Sequence, residues 1–247
     1  MQDRVYRVVI RIFRGFFRLM AIRFDIRGGE YLPASGPAVI ASNHISYLDF
    51  TFIGLAADNR GRKVRFLAKR SIFGLPVVGS LMRAMGHVPV ERASGSGAGA
   101  YRHAERALQG GEIVGVFPEA TISRAWTLKP FKRGAAALAV EEDVPLLPVI
   151  TWGGQRLITV DGRRHFRRHV PVTVLIGPPI PPRPDLTIEE FTDVLHAVMD
   201  EMLDGVQRDY PDRPRNLRDT WWLPRHLGGS APDPAEAAKI DEAKIQR

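Results

Sequence analysis

Ala38-Val39-Ile40-Ala41-Ser42-Asn43-His44-Ile45-Ser46-Tyr47-Leu48-Asp49-Phe50 is the stretch from which the rest of the chain can be read. Its first four residues form a short apolar run, which predicts a strand leading straight into a loop at His44. Residues 48 to 57 predict the next helix, with Asp58-Asn59-Arg60-Gly61 as its terminator. A histidine can take a proton near neutral pH, and a carboxylate can fix its tautomer and steady the imidazolium that forms. On one regular helix His44 and Asp49 would be separated by about 500° and would point away from each other. They can meet only if His44 lies on the loop and Asp49 in the first turn of the helix. Ser46 is a suitable N-cap for that arrangement. A plainer reading also fits, because Ser46-x-x-Asp49 is a capping-box pattern in which Asp49 would only tie down the helix start.

The alternation continues outward from this unit. Residues 64 to 68 and 85 to 90 read as strands, 93 to 99 as a flexible glycine- and serine-rich loop, and 100 to 108 as a helix. Ile113-Val114-Gly115-Val116-Phe117 reads as a buried strand that delivers Glu119 to a loop. An alanine-rich helix over 134 to 141 follows, then strands near 146 to 151 and 170 to 176. This pattern predicts an α/β fold, a single domain with a mixed sheet flanked by helices. His44 and Glu119 would then both lie just past strand C-termini, where α/β proteins usually build their sites. After Gly177 comes a proline-rich linker, and Thr187-Ile188-Glu189-Glu190 is a capping box for an amphipathic helix reaching about Val206. Beyond Tyr210 the chain is rich in proline and charge, with Trp221-Trp222 read as covering the domain and residues 228 to 247 as a polar, partly disordered tail. The expected organisation is residues 1–27 as an N-terminal amphipathic membrane-associating helix, 28–210 as the α/β domain and 211–247 as a C-terminal extension.

The composition allows a sizeable core, with 45% apolar residues among 247, and a net charge of +8 favours an anionic partner such as lipid headgroups, nucleic acid or a phosphorylated substrate. The absence of cysteine excludes disulfides, thiolate metal sites and a cysteine nucleophile. From Val5 to Phe24 the chain is largely apolar, yet Arg4, Arg7, Arg11, Arg14 and Arg18 recur at a spacing that places them within an arc of roughly 80°. A narrow arginine stripe beside a broad apolar face suits the bilayer interface, whereas five arginines in a membrane span would be costly. An ordinary amphipathic helix packed on the domain is the other reading. A cleaved signal peptide is not expected, because the arginines interrupt any apolar region.

Asn43-His44 with Asp49 resembles the first motif of the glycerolipid acyltransferase family, the 1-acylglycerol-3-phosphate acyltransferases and their relatives. The resemblance continues in order through Phe66-Leu67-Ala68-Lys69-Arg70, Gly86-His87-Val88-Pro89-Val90-Glu91-Arg92, Val116-Phe117-Pro118-Glu119-Ala120-Thr121-Ile122-Ser123 and Val144-Pro145-Leu146-Leu147-Pro148-Val149. It implies acyl transfer from a thioester to an alcohol, with His44 as general base, Asp49 holding its ring, and no acyl-enzyme. It further implies that Arg92 binds a phosphate that Lys69 could also reach, that Glu119 binds the acceptor's polar end or orders the basic residues, and that Thr121 contacts substrate. Without the resemblance, Lys69 and Arg92 read as solvated charges and Glu119 as the partner of a neighbouring arginine. Backbone amides of the Glu119-Ala120-Thr121 loop are candidates to receive the oxyanion. One departure stands out. Where the family's third motif reads Phe-Pro-Glu-Gly-Thr-Arg-Ser, this chain has Ala120-Thr121-Ile122, so an arginine is missing and Arg124, Lys132 or Arg133 would have to replace it.

The resemblance therefore implies acylation of the sn-2 hydroxyl of lysophosphatidic acid, giving phosphatidic acid. Glycerol-3-phosphate, another lysophospholipid, a glycolipid or an amino-acid lipid are alternative acceptors. Acyl-CoA or acyl carrier protein would be the donor, with no cofactor and no metal. The expected location is the cytoplasmic face of the cell membrane, peripheral or monotopic, against anionic headgroups. The basic runs 59 to 65 and 162 to 169 could meet such headgroups, coenzyme A phosphates or an acidic carrier, or be solvated loops. No nucleic-acid partner is expected, because aromatics are not interleaved with the basic residues and no reader motif appears. A noncatalytic basic membrane-binding protein is the remaining alternative.

Overall fold

The apolar runs of the sequence form the seven strands of one sheet in the computed structural model, which describes residues 2–90, 98–161 and 167–245. In chain order the first elements are α1 (Gln2–Leu19), β1 (Arg23–Arg27), β2 (Ala38–Ser42), α2 (Asp49–Asp58) and β3 (Val64–Lys69). Next come the short helices α3 (Arg70–Phe73) and α4 (Pro76–Ala84), then β4 (Val88–Val90), α5 (Ala98–Gln109), β5 (Ile113–Val116) and α6 (Gly134–Glu141). The remainder is β6 (Leu146–Trp152), β7 (Pro171–Ile176), α7 (Ile188–Arg208) and α8 (Pro234–Ile245). The strand order is β1-β7-β6-β2-β5-β3-β4. Every neighbouring pair is parallel except β6 with β7, so β7 and β1 run against the other five and the sheet is mixed.

Central strands covered on both faces carry apolar residues at every position rather than at alternate ones. In β2 all five residues are buried, with Val39 and Ala41 in the core under α5, α6 and α7, and Ala38 and Ile40 in the core under α1 and α2. The parallel strands β2, β3 and β5 end on one edge of the sheet, so the loops after them converge there. Thr187 and Glu190 form the expected capping box at the start of α7.

Helix α1 has three faces. Tyr6, Val9, Ile10 and Phe17 are buried against the domain, with α2 as neighbour. Arg4, Arg7, Arg11, Arg14 and Arg18 are all exposed. Between these faces runs a third stripe, where Val8, Ile12 and Leu19 are 50%, 64% and 69% exposed. The buried face fits the reading of a helix packed on the domain, and the exposed apolar stripe lies apart from it. No described helix is long and apolar enough to cross a membrane.

Two differences from the sequence reading have plain causes. Residues 23 to 27, expected within the N-terminal helix, form edge strand β1 paired with β7, with Phe24 and Ile26 against the second core and Arg23 and Arg27 outward. That alternation has period two and is too short to stand out beside the arginine stripe. The expected polar tail carries α8, started by a capping box in which Glu236 N–H donates to Asp233 Oδ1 (2.8 Å) and Asp233 N–H to Glu236 Oε2 (3.0 Å), with Pro234 in the first turn. Trp222 is fully buried, with the Arg156 guanidinium 4.3 Å from its ring, while Trp221 is partly buried. The loop expected over 93 to 99 lies mostly outside the described residues.

Candidate active site

Asn43 begins the loop after β2 and prolongs the sheet with its side chain. Its amide donates to Thr151 O (3.0 Å) and accepts from Thr151 N–H (2.7 Å), copying a ladder pair with β6. This fixes the chain where His44 leaves the strand. Asp49 is the first residue of α2 and is fully buried. Its Oδ2 accepts from Ile45 N–H (2.8 Å), Ser46 N–H (2.8 Å) and His44 Nδ1 (2.9 Å), and its Oδ1 from the Thr151 hydroxyl (3.0 Å). The helix-start reading and the histidine reading of Asp49 therefore describe one carboxylate doing both. The cap differs in detail: Leu48 occupies the N-cap position, while Ser46 Oγ accepts from Leu48 N–H and donates to Ile158 O. That hydroxyl is committed, and Ser42 donates to the Asn43 carbonyl, so neither serine is set up as a nucleophile.

Because Asp49 Oδ2 is an acceptor, the Nδ1 of His44 carries the proton and Nε2 presents its lone pair. Nε2 has no hydrogen-bond partner among the described residues, and the side chain is one-fifth exposed. The imidazole stacks on Phe117 at 4.3 Å, and Phe117 in turn on Phe66 at 5.5 Å. Gly115 makes room for this column, since a Cβ there would fall 2.5 Å from the Phe66 ring.

Glu119 follows β5 and reaches under the same loop. Its Oε1 accepts from His44 N–H (2.7 Å) and its Oε2 from Lys129 N–H (3.0 Å). Burial pushes this carboxyl up to about 8, while the two N–H donors and the Lys129 charge pull it down. Ser123 N–H donates back to His44 O (2.8 Å), so the loops after β2 and β5 are laced together. Ala120 takes φ +63°, a conformation that suits the glycine of the family pattern better than alanine. Of the loop amides expected to receive an oxyanion, those of Ala120 and Thr121 donate to Phe117 O and Glu119 O.

Of the residues singled out in the sequence, His44, Asp49 and Glu119 are brought together, and Thr121 stands exposed on the same loop. Lys69 is exposed at the end of β3, on the same edge of the sheet. Arg92 lies outside the described residues. Arg124 is buried and ion-paired with Asp161 and with Asp241 of α8 (2.7 Å to the latter), so its charge is already met within the chain. Arg133 pairs with Glu189. Lys129 went unremarked in the sequence; its ammonium is 2.7 Å from Thr121 Oγ1. The only signal for it was a charged residue just before Pro130-Phe131, within reach of the third motif. In the basic run 59 to 65, Arg62 bonds three backbone carbonyls and Arg65 binds Glu112, so both hold the fold. Residues 162 to 166 of the other run lie outside the described residues.

A family model described as Acyltransferase matches residues 23–152, from β1 to the end of β6. The chloroplastic 1-acyl-sn-glycerol-3-phosphate acyltransferase BAT2 of Brassica napus is 36% identical over 159 residues, covering 63% of this chain and 44% of that protein. Human 1-acyl-sn-glycerol-3-phosphate acyltransferase alpha is 32% identical over 187 residues, covering 75% of this chain and 64% of that protein. The chain thus spans less than two-thirds of the length of these relatives. The crystal structure of the 1-acyl-sn-glycerophosphate acyltransferase PlsC from Thermotoga maritima superimposes with a TM-score of 0.69 at 25% identity, covering 85% of this chain and 83% of that one. The family segment takes in the strands that end at the site and both loops carrying His44, Asp49 and Glu119, and this chain belongs to the acyltransferase family.

Proposed function

We propose that this chain moves a fatty acyl group from acyl-CoA or acyl carrier protein to the sn-2 hydroxyl of lysophosphatidic acid, producing phosphatidic acid. The observation that carries the reading is the His44–Asp49 pair, with a proton-bearing Nδ1 held by a buried carboxylate and a free Nε2 facing out. In this mechanism Nε2 takes the hydroxyl proton as the acceptor oxygen attacks the thioester carbonyl. Asp49 steadies the imidazolium, which returns its proton to the thiolate as the tetrahedral intermediate collapses. No covalent enzyme intermediate is required, in keeping with the committed hydroxyls of Ser42 and Ser46.

Both substrates are amphiphiles, and α1 supplies a means of meeting them. Its exposed Val8, Ile12 and Leu19 would enter the interfacial layer while the neighbouring arginines contact anionic headgroups, making the chain a peripheral or monotopic protein of the cytoplasmic membrane face. The replacement of the third-motif arginine by a buried Ile122 favours a second reading in which the acceptor is another lysolipid, glycerol-3-phosphate, a glycolipid or an amino-acid lipid.

The test is transfer of a labelled acyl group to lysophosphatidic acid and to each alternative acceptor, with wild type and His44→Ala compared on vesicles. Turnover that is highest for lysophosphatidic acid and abolished in His44→Ala is the expected result. A different leading acceptor selects the second reading. No transfer from either thioester by folded, vesicle-bound protein sinks the enzymatic reading and leaves a noncatalytic membrane role.

A further inference from the structure

Ile122 occupies the position where the third-motif pattern has an arginine, and at 5% exposure it is core rather than site. The loop nevertheless carries a cation. Lys129 is anchored by its own N–H to Glu119 Oε2, the oxygen next to the one that holds His44 N–H. Its ammonium is thereby fixed beside Thr121 Oγ1, on the exposed side of the loop. Its counter-ion is Asp241, whose Oδ2 is 2.5 Å away and whose Oδ1 binds Arg124. Burial raises the Asp241 carboxyl, but hydrogen bonds from Lys129 and Arg124 outweigh this and hold it below its usual range.

Asp241 comes from outside the family segment, on a helix that is attached chiefly by charge. Among the described side chains of α8 only Ala237 is buried, and Ile240 is turned to solvent. The remaining side-chain attachments among the described residues are ionic: the Asp241 pairs, the Arg225–Glu236 pair and the contact of Lys244 with Asp161. With α8 in place, Arg124, Lys129 and Lys244 face Asp161 and Asp241. With α8 lifted, Arg124 keeps Asp161, whereas Lys129 keeps no ion-pair partner among the described residues. A phosphate monoester can take over both contacts of the Asp241 carboxylate, offering more charge and more acceptor oxygens.

We propose that Lys129 is the positioning cation for the acceptor's phosphate, supplying the charge that Ile122 does not, and that Asp241 of α8 occupies it until the acceptor arrives. The inference rests on the acceptor reading above. It makes opposite demands on two partners of a single ion pair. Lys129→Gln raises KM for lysophosphatidic acid about tenfold or more, with Lys129→Arg restoring most of the loss. Asp241→Asn removes the internal competitor and lowers the same KM about threefold, because more of the protein is binding-competent. Monoacylglycerol, the same acceptor without phosphate, is unaffected by either change.

A bridge that only held the fold together would make both variants worse, and would do so for both acceptors. Either pattern overturns the proposal, as does an unchanged KM in Lys129→Gln. Equilibrium binding of lysophosphatidic acid and monoacylglycerol to the same full-length variants separates this from failure of the enzymatic reading. If wild type turns over nothing, phosphate-dependent binding that falls in Lys129→Gln and rises in Asp241→Asn still supports the pair. Its absence overturns it.

Discussion

Replacing Asp49 by alanine and by asparagine should have different consequences, because the carboxylate has two separable jobs. In Asp49→Ala the buried N–H groups of Ile45 and Ser46 lose their acceptor, as does the Thr151 hydroxyl. At about 1–3 kcal/mol for each orphaned buried donor, the two amides alone cost about 2–6 kcal/mol. In Asp49→Asn the amide has one good orientation. Its oxygen must take the place of Oδ2, since an NH2 there would oppose two N–H donors and His44 Nδ1–H. Its NH2 then faces Thr151 Oγ1, which can accept once its own proton turns toward Asn43 Oδ1, 3.4 Å away. Stability should fall by no more than about 1 kcal/mol, and His44 should keep its tautomer. What is lost is the charge that steadies the imidazolium. The difference between a charged and a neutral hydrogen bond, about 1–2.5 kcal/mol, corresponds to a fall of about 5- to 70-fold in kcat. A serine-protease triad loses about 10⁴-fold when its amide forces the wrong tautomer. Thermal melts of both variants, with initial rates of labelled acyl transfer for Asp49→Asn, check this. An asparagine variant that melts as low as the alanine one, or that loses 10⁴-fold, refutes the locked-amide argument; full activity refutes the role of the charge.

The remaining predictions concern the loops around this pair. Ala120→Gly should raise stability by about 0.5–1 kcal/mol by relieving the φ +63° backbone, read as a higher melting temperature with activity retained. Gly115→Ala should cost about 1–3 kcal/mol and slow turnover, because its Cβ displaces the Phe66 ring that supports Phe117 and His44. Glu119 keeps its proton in the folded chain up to about 8 and releases it near 4.5 when unfolded, so folding takes up a proton between these values. Its contribution is therefore complete at low pH and lost as pH rises through 8. Melting temperature should fall between about pH 5 and 8 in wild type and level off above 8, and this fall should be absent in Glu119→Gln, which starts about 1–3 kcal/mol lower because its NH2 meets an N–H donor. Ile12→Glu should weaken binding to anionic vesicles several-fold without changing the melt, because Ile12 is 64% exposed on the apolar stripe of α1.

Much of the fold was legible because a parallel sheet buried on both faces needs unbroken apolar runs, and 38–42, 113–116 and 146–152 are such runs. The elements that went unread lack that signal. β1 is an edge strand of five residues alternating polar and apolar, whose partner β7 lies almost 150 residues away, and no local pattern announces such a pairing. α8 had its signal in Asp233-Pro234-Ala235-Glu236, a capping box with proline at the first helical position, but its faces are too polar to predict docking. Beside the local Arg225–Glu236 pair, it docks by ion pairs to residues 83 to 117 positions earlier, which spacing along the chain cannot reveal.

The site divides along the same line. His44 and Asp49 are five residues apart, and strand-loop-helix geometry alone brings their side chains within 2.9 Å. Glu119 could be placed on the right edge of the sheet from its strand, but its task could not, because a carboxylate that accepts from the backbone of His44 leaves no trace in the spacing. Arg124 shows the opposite error. As a cation two residues from a missing arginine it invites a ligand, yet Asp161 and Asp241 already satisfy it. Whether a charged residue serves the site depends on which anions the rest of the chain brings to it. At Lys129 that anion is carried by a helix with one buried apolar side chain among those described, whereas at Arg124 a second carboxylate remains when that helix leaves. The energetic asymmetry between these two cations, rather than their distance from the motif, is what makes Lys129 the one able to exchange its partner for a substrate.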